Sequence, residues 1–375
     1  MNKPMNKIEK LIAELCPEGV ESKELGDILD YEQPTKYLVQ YTEYDDNFTT
    51  PVLTAGQSFI LGYTDEDMGI YKASEENPTI IFDDFTTSFH WVVFDFKVKS
   101  SAMKMLRLKN NNGVIFKFIY YAMKCIEYSP QDHARHWISK YSKFKIPLPP
   151  LAIQQEIVKI LDTFTTLEAE LEAELEARKK QYEYYRDSLL TFRDGVEYKT
   201  LGELISLEYG KSLKENYRTG GEFPVLGSNG RVGFHNLYIT EGPCLVIGRK
   251  GSAGALVWEE NNCYPIDTTF YVKIENKNLL LKYLFYKLKT LKLTIRKQDG
   301  GVPGLNRNSI YKIKIPLPPL AEQERIVGVL DKFDAMVNDI SAGLPAEINA
   351  RRKQYEYYRN RLLIFKPLEK EYADQ

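Results

Sequence analysis

The chain repeats itself, and the way it does so limits the possible folds more than any other feature. Lys145-Ile146-Pro147-Leu148-Pro149-Pro150-Leu151-Ala152 recurs 169 residues later as Lys314-Ile315-Pro316-Leu317-Pro318-Pro319-Leu320-Ala321. Lys180-Gln181-Tyr182-Glu183-Tyr184-Tyr185-Arg186 recurs 173 residues later, from Lys353 to Arg359, so the second copy has gained four residues between the two matches. Gly195-Val196-Glu197-Tyr198-Lys199-Thr200-Leu201-Gly202 matches Gly19-Val20-Glu21-Ser22-Lys23-Glu24-Leu25-Gly26. Chance does not produce runs this long, and a fixed period means one structural unit present twice. The third match makes the order cyclic: head, spacer, head, spacer. The segment before Gly19 then stands where the end of a spacer would stand. Between the repeated borders, residues 27–144 and 203–313 share little. A shared frame with divergent inserts predicts two readers of different targets on one scaffold. At 375 residues the chain is also long for a single core.

Each spacer follows Pro-x-Pro-Pro, which fixes an extended entry and favours a helix just beyond. In the first, Leu161, Phe164, Leu167, Leu171, Leu175, Tyr182, Tyr185, Leu189 and Phe192 fall at helical spacing, with no Gly or Pro for some forty residues. Glu168, Glu170, Glu172, Glu174 and Glu176 precede Arg178, Lys179 and Lys180, an order that suits the helix dipole. Such a helix would be on the order of 55–60 Å long. With a single apolar stripe it needs a partner helix. The second copy offers one through Ile326, Val329, Leu330, Phe333, Val337 and Ile340, and Gly343-Leu344-Pro345 predicts a break there. An antiparallel pair would hold the two heads a fixed distance apart. The bland reading is a pair of amphipathic helices, each packed on its own domain.

Each head reads as short strands and loops ending in a helix. In the first, 51–63 is strand and turn, 79–82 a buried strand, 83–88 a polar loop and 114–126 a helix. In the second, 224–231 is strand then turn, 244–248 a strand running into Arg249-Lys250-Gly251-Ser252, and 279–293 a helix. The loops are rich in residue types that reach base edges and phosphates. The candidates are Gln57, Ser58, Thr86, Thr87, Ser88, Arg135 and Lys143 in the first head. In the second they are Ser228, Asn229, Arg231, Arg249, Lys250, Ser252, Arg296 and Lys297. Arg249 and Lys250, set between glycines, are the sharpest of these. A surface hairpin with a solvated charge pair is the bland alternative.

The formal net charge of −2 hides a strong local pattern. Residues 20–95 carry 3 basic and 16 acidic side chains, 96–150 carry 11 and 2, and 196–319 carry 18 and 11. Local basic density can displace counterions from phosphates, although lysine-rich surfaces are often merely solvated. No apolar run reaches the roughly 18 residues of a membrane span, and residues 1–10 lack a signal-peptide core. Cys16, Cys125, Cys244 and Cys263 are scattered, without zinc or disulfide-frame spacing, which fits reduced thiols in a cytoplasm.

Catalytic patterns are thin. Asp267 with Glu275-Asn276-Lys277 imitates a nuclease pattern that is short and common. Gly248-Arg249-Lys250-Gly251 fits a GxxG loop without the helix pair that KH domains need. His133 and His136 could share a metal, but no further ligand pattern supports them, so a satisfied or DNA-facing histidine is the better reading. Walker A and Rossmann glycine patterns are missing, and Asn77-Pro78-Thr79 is not the amino-methyltransferase motif.

Taken together, 146–158, 161–164 and 178–186, and again 315–327, 330–333 and 352–359, resemble the conserved regions of Type I restriction–modification specificity subunits. The resemblance covers the whole chain. It implies an α+β fold: two mixed α/β target recognition domains joined by two long helices packed as an antiparallel coiled coil, pseudo-two-fold symmetric. The implied parts are 1–150 for the N-terminal segment and first recognition domain and 151–195 for the first spacer helix. The second recognition domain then takes 196–319 and the second spacer 320–375. The resemblance further implies that each domain reads half of a bipartite site in double-stranded DNA and that the helices fix the gap. Two modification subunits and restriction subunits are the implied partners, with no membrane. S-adenosylmethionine, ATP and Mg belong to those partners, and no cofactor to this chain. The alternatives are a fused methyltransferase or endonuclease with its own catalytic site, and a purely structural coiled-coil adaptor.

Overall fold

The structure is a computed structural model. It describes residues 6–56, 58–110, 113–132, 134–192, 195–218, 220–291, 293, 304–339 and 341–368. The chain divides into two compact units, one running to Glu170 and resuming at Asn349, the other spanning Leu171–Ile348. Each unit contains one head.

The first copy runs α1 (Lys7–Leu15), β1 (Ser22–Glu24), α2 (Leu25–Ile28), β2 (Leu29–Glu32), β3 (Thr50–Leu53) and β4 (Ile60–Thr64). It continues with β5 (Thr79–Asp83), β6 (Phe89–Val92), β7 (Lys97–Val98), β8 (Met103–Leu108), α3 (Phe116–Met123), α4 (His136–Ser139), β9 (Lys145–Pro147) and α5 (Leu151–Leu189). The second runs β10 (Tyr198–Thr200), α6 (Leu201–Leu204), β11 (Ile205–Tyr209), β12 (Phe223–Gly227), β13 (Gly230–His235), β14 (Cys244–Gly248) and β15 (Leu256–Glu259). It ends with β16 (Tyr264–Pro265), β17 (Thr269–Ile274), α7 (Leu281–Thr290), α8 (Arg307–Tyr311), β18 (Lys314–Pro316), α9 (Leu320–Asn338) and α10 (Gly343–Leu362).

The heads, so unlike in sequence, have one topology. Each holds a four-stranded antiparallel sheet, β2-β8-β5-β6 or β11-β17-β14-β15, and a three-stranded sheet, β4-β3-β7 or β13-β12-β16. In both three-stranded sheets one pair is parallel. The central strand β5 is an unbroken apolar run because both of its faces are covered. Ile80 and Phe82 face a core that contains α3 and the start of α5, while Ile81 faces one built on Leu53, Tyr71 and Val98. β14 divides in the same way, Leu245 and Ile247 to one side and Cys244 and Val246 to the other. The period-2 alternation of a strand thus serves two cores at once.

The repeated borders pair with each other. β1 lies antiparallel to β9 with Lys23 opposite Ile146, and β10 lies antiparallel to β18 with Lys199 opposite Ile315. Both ribbons close the head at its root and deliver the chain through Pro-x-Pro-Pro into a helix.

The first spacer is one helix of 39 residues, α5, about 58 Å long. It ends at Leu189, so Phe192 lies beyond it and not on its stripe. Within the first unit, Phe164 of α5 stacks on Tyr358 of α10 at 5.4 Å, and Glu168 pairs with Arg352. Within the second, Tyr182 and Tyr185 of α5 meet Phe333 of α9 at 6.5 and 5.6 Å. Tyr185 nonetheless stays 41% exposed, which makes it a flank of the stripe and not its centre. The expected break near Gly343 is present: α9 stops at Asn338 and α10 starts at Gly343. The Asp339 side chain accepts from the Ser341 and Ala342 backbone N–H groups, and Gly343 takes φ +73° against the Ala335 and Met336 carbonyls. Ile340 lies outside the described residues. No described helix is long and apolar enough to cross a membrane.

Candidate nucleic-acid interface

Any surface a head presents depends on how the head is held. Gln154 and Gln323 are fully buried at equivalent places on α5 and α9. The Gln154 amide donates to Pro149 O at 2.7 Å and Gly113 O at 3.0 Å, and its oxygen accepts from Ile115 N at 2.9 Å. Gln323 repeats this with Pro318 O at 2.8 Å, Asn278 O at 2.7 Å and Leu280 N at 2.9 Å. One side chain thus satisfies the backbone at the start of both the spacer helix and the head helix. Beside it, the Tyr121 hydroxyl donates to Asp162 at 2.5 Å, and the Tyr286 hydroxyl to Asp331. Lysines cover an aromatic shelf next to each pair: Lys117 over Trp91 at 4.3 Å, and Lys282 over Trp258 at 4.1 Å. Sequence reading missed this joint. Its signal was there, since Gln154 and Asp162 sit in the repeated motifs at the same 169-residue offset as Gln323 and Asp331.

In the first head the polar loop is a tight turn after β5. The Asp83 carboxylate accepts from the Phe85 and Thr86 backbone N–H groups, and Thr87 takes φ +57°. Thr86 is exposed and Ser88 half-buried; Thr87 is buried, and its hydroxyl donates to Thr86 O at 2.7 Å. Asp84 turns inward, pairing with Lys104 at 3.1 Å where both side chains are almost wholly buried. It also accepts from the backbone of α4: His136 N–H to its carbonyl at 2.9 Å, and Trp137 N–H to its carboxylate at 2.8 Å. That anchors exposed Arg135 beside the turn. Exposed Ser58 lies on the β3–β4 loop, which hydrogen-bonds to β6 through Gly56 O and the His90 ring at 3.1 Å. Lys143 is exposed further along, next to the root ribbon. His136 is a satisfied core histidine, bonded to Tyr128 at 3.0 Å and Asp132 O at 3.2 Å. Gln57 and His133 lie outside the described residues.

In the second head, Ser228 and Asn229 form the hairpin between β12 and β13, and Arg249 to Ser252 begin the loop after β14. These meet: a Cβ on Gly248 would strike Ser252 O and come within 2.9 Å of Ser228 O. Only glycine lets the two loops approach so closely. Asn229, Lys250 and Ser252 are exposed, and Ser228 is half-buried. Arg231 was expected in a loop, but it lies on the edge strand β13 and pairs with Glu259 at 3.2 Å. The Arg249 guanidinium donates to Asp267 O at 2.7 Å and lies over the rings of Tyr209 at 5.2 Å and Phe270 at 5.9 Å. Arg296 and Lys297 lie outside the described residues.

The nuclease-like pattern does not assemble. Asp267 precedes β17 and Glu275 follows it, which puts them on the order of 20 Å apart. Two cysteines separated in sequence do come together: the Cys244 and Cys263 sulfurs are 2.7 Å apart, both buried. Spacing along the chain gave no hint of it.

Residues 17–177 and 193–350 both match the family model described as Type I restriction modification DNA specificity domain. The specificity subunit of the EcoR124I/EcoR124II type I restriction enzyme of Escherichia coli is 44% identical, over 96% of this chain and 97% of that one. A putative type I restriction enzyme specificity subunit of Haemophilus influenzae is 30% identical over 82% of this chain and 86% of its own. Among solved structures, the type I S subunit from M. genitalium shares the fold at a TM-score of 0.60 and 19% identity, covering 92% of this chain and 96% of that one. The duplicated frame and paired heads are therefore those of the Type I restriction–modification specificity family, to which this chain belongs as a non-catalytic DNA-recognition subunit.

Proposed function

We propose that each head reads one half of a bipartite, asymmetric site in double-stranded DNA, while the frame fixes the distance between the halves. The observation that carries this reading is the contrast between frame and loops. Strand order, root ribbon, glutamine clamp and Tyr–Asp pair recur in both units, whereas the residues beyond the strand ends differ. A common scaffold with unlike reading edges is what two different half-sites require. The reading edges would be Ser58, Thr86, Ser88 and Arg135 in the first head and Ser228, Asn229, Arg249, Lys250 and Ser252 in the second. Thr87, Lys143 and Arg231 would stand at their margins, and Gln57, Arg296 and Lys297 would add to them from outside the described residues. The recognition domains would then be 1–150 and 196–319, and the spacers 151–195 and 320–375.

The helices would also dock two modification subunits, one per repeat, with restriction subunits joining them in the cytoplasm. A chain that repeats its frame internally offers two like surfaces to two copies of one partner. S-adenosylmethionine, ATP and Mg would act on those partners. Joining two weak half-site readers raises affinity through effective concentration, provided their spacing matches the DNA. A four-residue insertion within 165–175, adding about 6 Å of helix, tests the ruler. In the complete modification complex, mapping of methylated sites should show a changed gap between unchanged half-sites. An unchanged gap would remove the ruler from the account.

A further inference from the structure

Three side chains from three separate elements meet at one corner of the second head. Tyr209 ends β11, Arg249 follows β14, and Arg307 opens α8. The guanidinium groups of Arg249 and Arg307 each lie 5.2 Å from the centre of the Tyr209 ring, which is 49% exposed. We propose that Tyr209, Arg249 and Arg307 form the base-reading corner of this head, with the Arg249 fork presented to the acceptor edge of a guanine and Lys250 beside it gripping phosphate. This rests on the reading that the second head contacts DNA.

Arg249 is held from several directions. Its guanidinium donates to Asp267 O at 2.7 Å and lies over two rings. Its backbone N–H donates to Thr268 O at 2.8 Å, and its carbonyl accepts from Leu305 N–H at 2.9 Å. A planar fork already fixed in place loses little entropy on binding, and it rewards only a partner with two acceptors at matching positions. The O6 and N7 edge of guanine in the major groove is such a partner. Arg307 is placed at the same Tyr209 ring by its own contacts, 6.0 Å from the centre of the Tyr311 ring and donating to Leu207 O at 3.4 Å. Room for approach comes from glycine. At Gly210, directly after Tyr209, a Cβ would strike the Ile266 carbonyl. Exposed Lys250, by contrast, is a compact charge on a flexible stem, suited to phosphate and indifferent to sequence.

The corner does not belong to the shared frame. By strand register, the first head has Gln33 where the second has Tyr209, and Asp84 where the second has Arg249. Positions that serve the joint to the helix recur, and these do not, as expected of residues that give each head its own target.

The test uses the intact modification complex and duplexes carrying the motif it methylates, with each base pair of both halves changed in turn. Arg249→Lys and Tyr209→Ala should each lose discrimination at one G·C pair of a single half-site, on the order of 5–150-fold, with the other half unaffected. Tyr209→Phe should behave as the parent, and it also reports on folding. Lys250→Ala should weaken all duplexes alike and lower the salt slope by about one. The inference is overturned if Arg249→Lys keeps full discrimination, or if it weakens every duplex equally in a complex of unchanged thermal midpoint. Exchange of the whole head separates the two levels. If that exchange changes one half-site while Arg249→Lys changes nothing, only the corner is wrong; if the exchange changes neither half, the reading beneath it fails.

Discussion

Beyond β5 the first head places Asp84, and beyond β14 at the same register the second places Arg249. Asp84 points inward, pairs with buried Lys104 and holds the start of α4. Arg249, half-buried, lies over the exposed ring of Tyr209. One strand end is thus an internal brace in one head and an external fork in the other. The strands specify where a loop leaves the sheet, and they leave its chemistry free. The first head also spends much of its basic charge on itself. Lys97 pairs with Glu66 at 2.9 Å, Lys104 with Asp84, and Lys117 and Lys124 lie over Trp91 and Phe89. The 11 basic residues of 96–150 therefore overstate the positive surface available to DNA.

The largest effect expected from breaking this contrast is in the brace. Lys104→Met should cost the first unit about 3–5 kcal/mol, because the buried Asp84 carboxyl is left without its partner. The double variant with Asp84→Leu should recover part of that loss. Urea unfolding checks both, and a Lys104→Met loss under about 1 kcal/mol would remove the brace from the account. A similar but smaller effect is expected at the joint. Gln154→Ala and Gln323→Ala each leave three backbone groups without their partner, one of them on a buried proline, and should each cost about 1–3 kcal/mol. Hydrogen exchange at Ile115 and Leu280 should report the loosening locally. Equal losses support a common joint, and a loss in only one unit would break the equivalence.

The smallest effect distinguishes the two joints electrostatically. Lys289 has Asp334 at 3.4 Å, whereas the matching place beside Lys124 holds Thr165. Burial, with a lesser push from the Arg359 charge, lowers Lys124 to about 8. Its folded value lies below its unfolded one. The unfolded chain therefore binds more protons between these two values, and stability contributed at this site rises with pH across that window. Lys124→Met should flatten that rise in the first unit. Thr165→Asp should shift it toward higher pH by favouring the charged form. A pH profile unchanged by either substitution would show that Lys124 stays solvated.

The frame was legible because duplication wrote it twice. Any motif kept in both copies, Gln154 and Gln323 included, was constrained by something common to both. The common topology of the heads was not legible, because a strand such as β5 or β14 demands only apolar side chains on both faces, and Thr-Ile-Ile-Phe and Cys-Leu-Val-Ile satisfy that equally. Loop positions were found from composition, which located Arg249 and Ser228 but misplaced Arg231, since a glycine-rich turn does not announce where the next strand starts. Tyr209 and Arg307 were missed because their meaning lies in a meeting of elements nearly a hundred residues apart. The apposition of Cys244 and Cys263 was hidden for the same reason.

The central claim is that two independent readers share one frame, and exchange of residues 203–313 for the corresponding head of another family member tests it most directly. Methylated sites mapped with the exchanged chain in the complete modification complex should keep one half-site and the gap, and replace the other half-site entirely. A motif altered in both halves, or in neither, would contradict it.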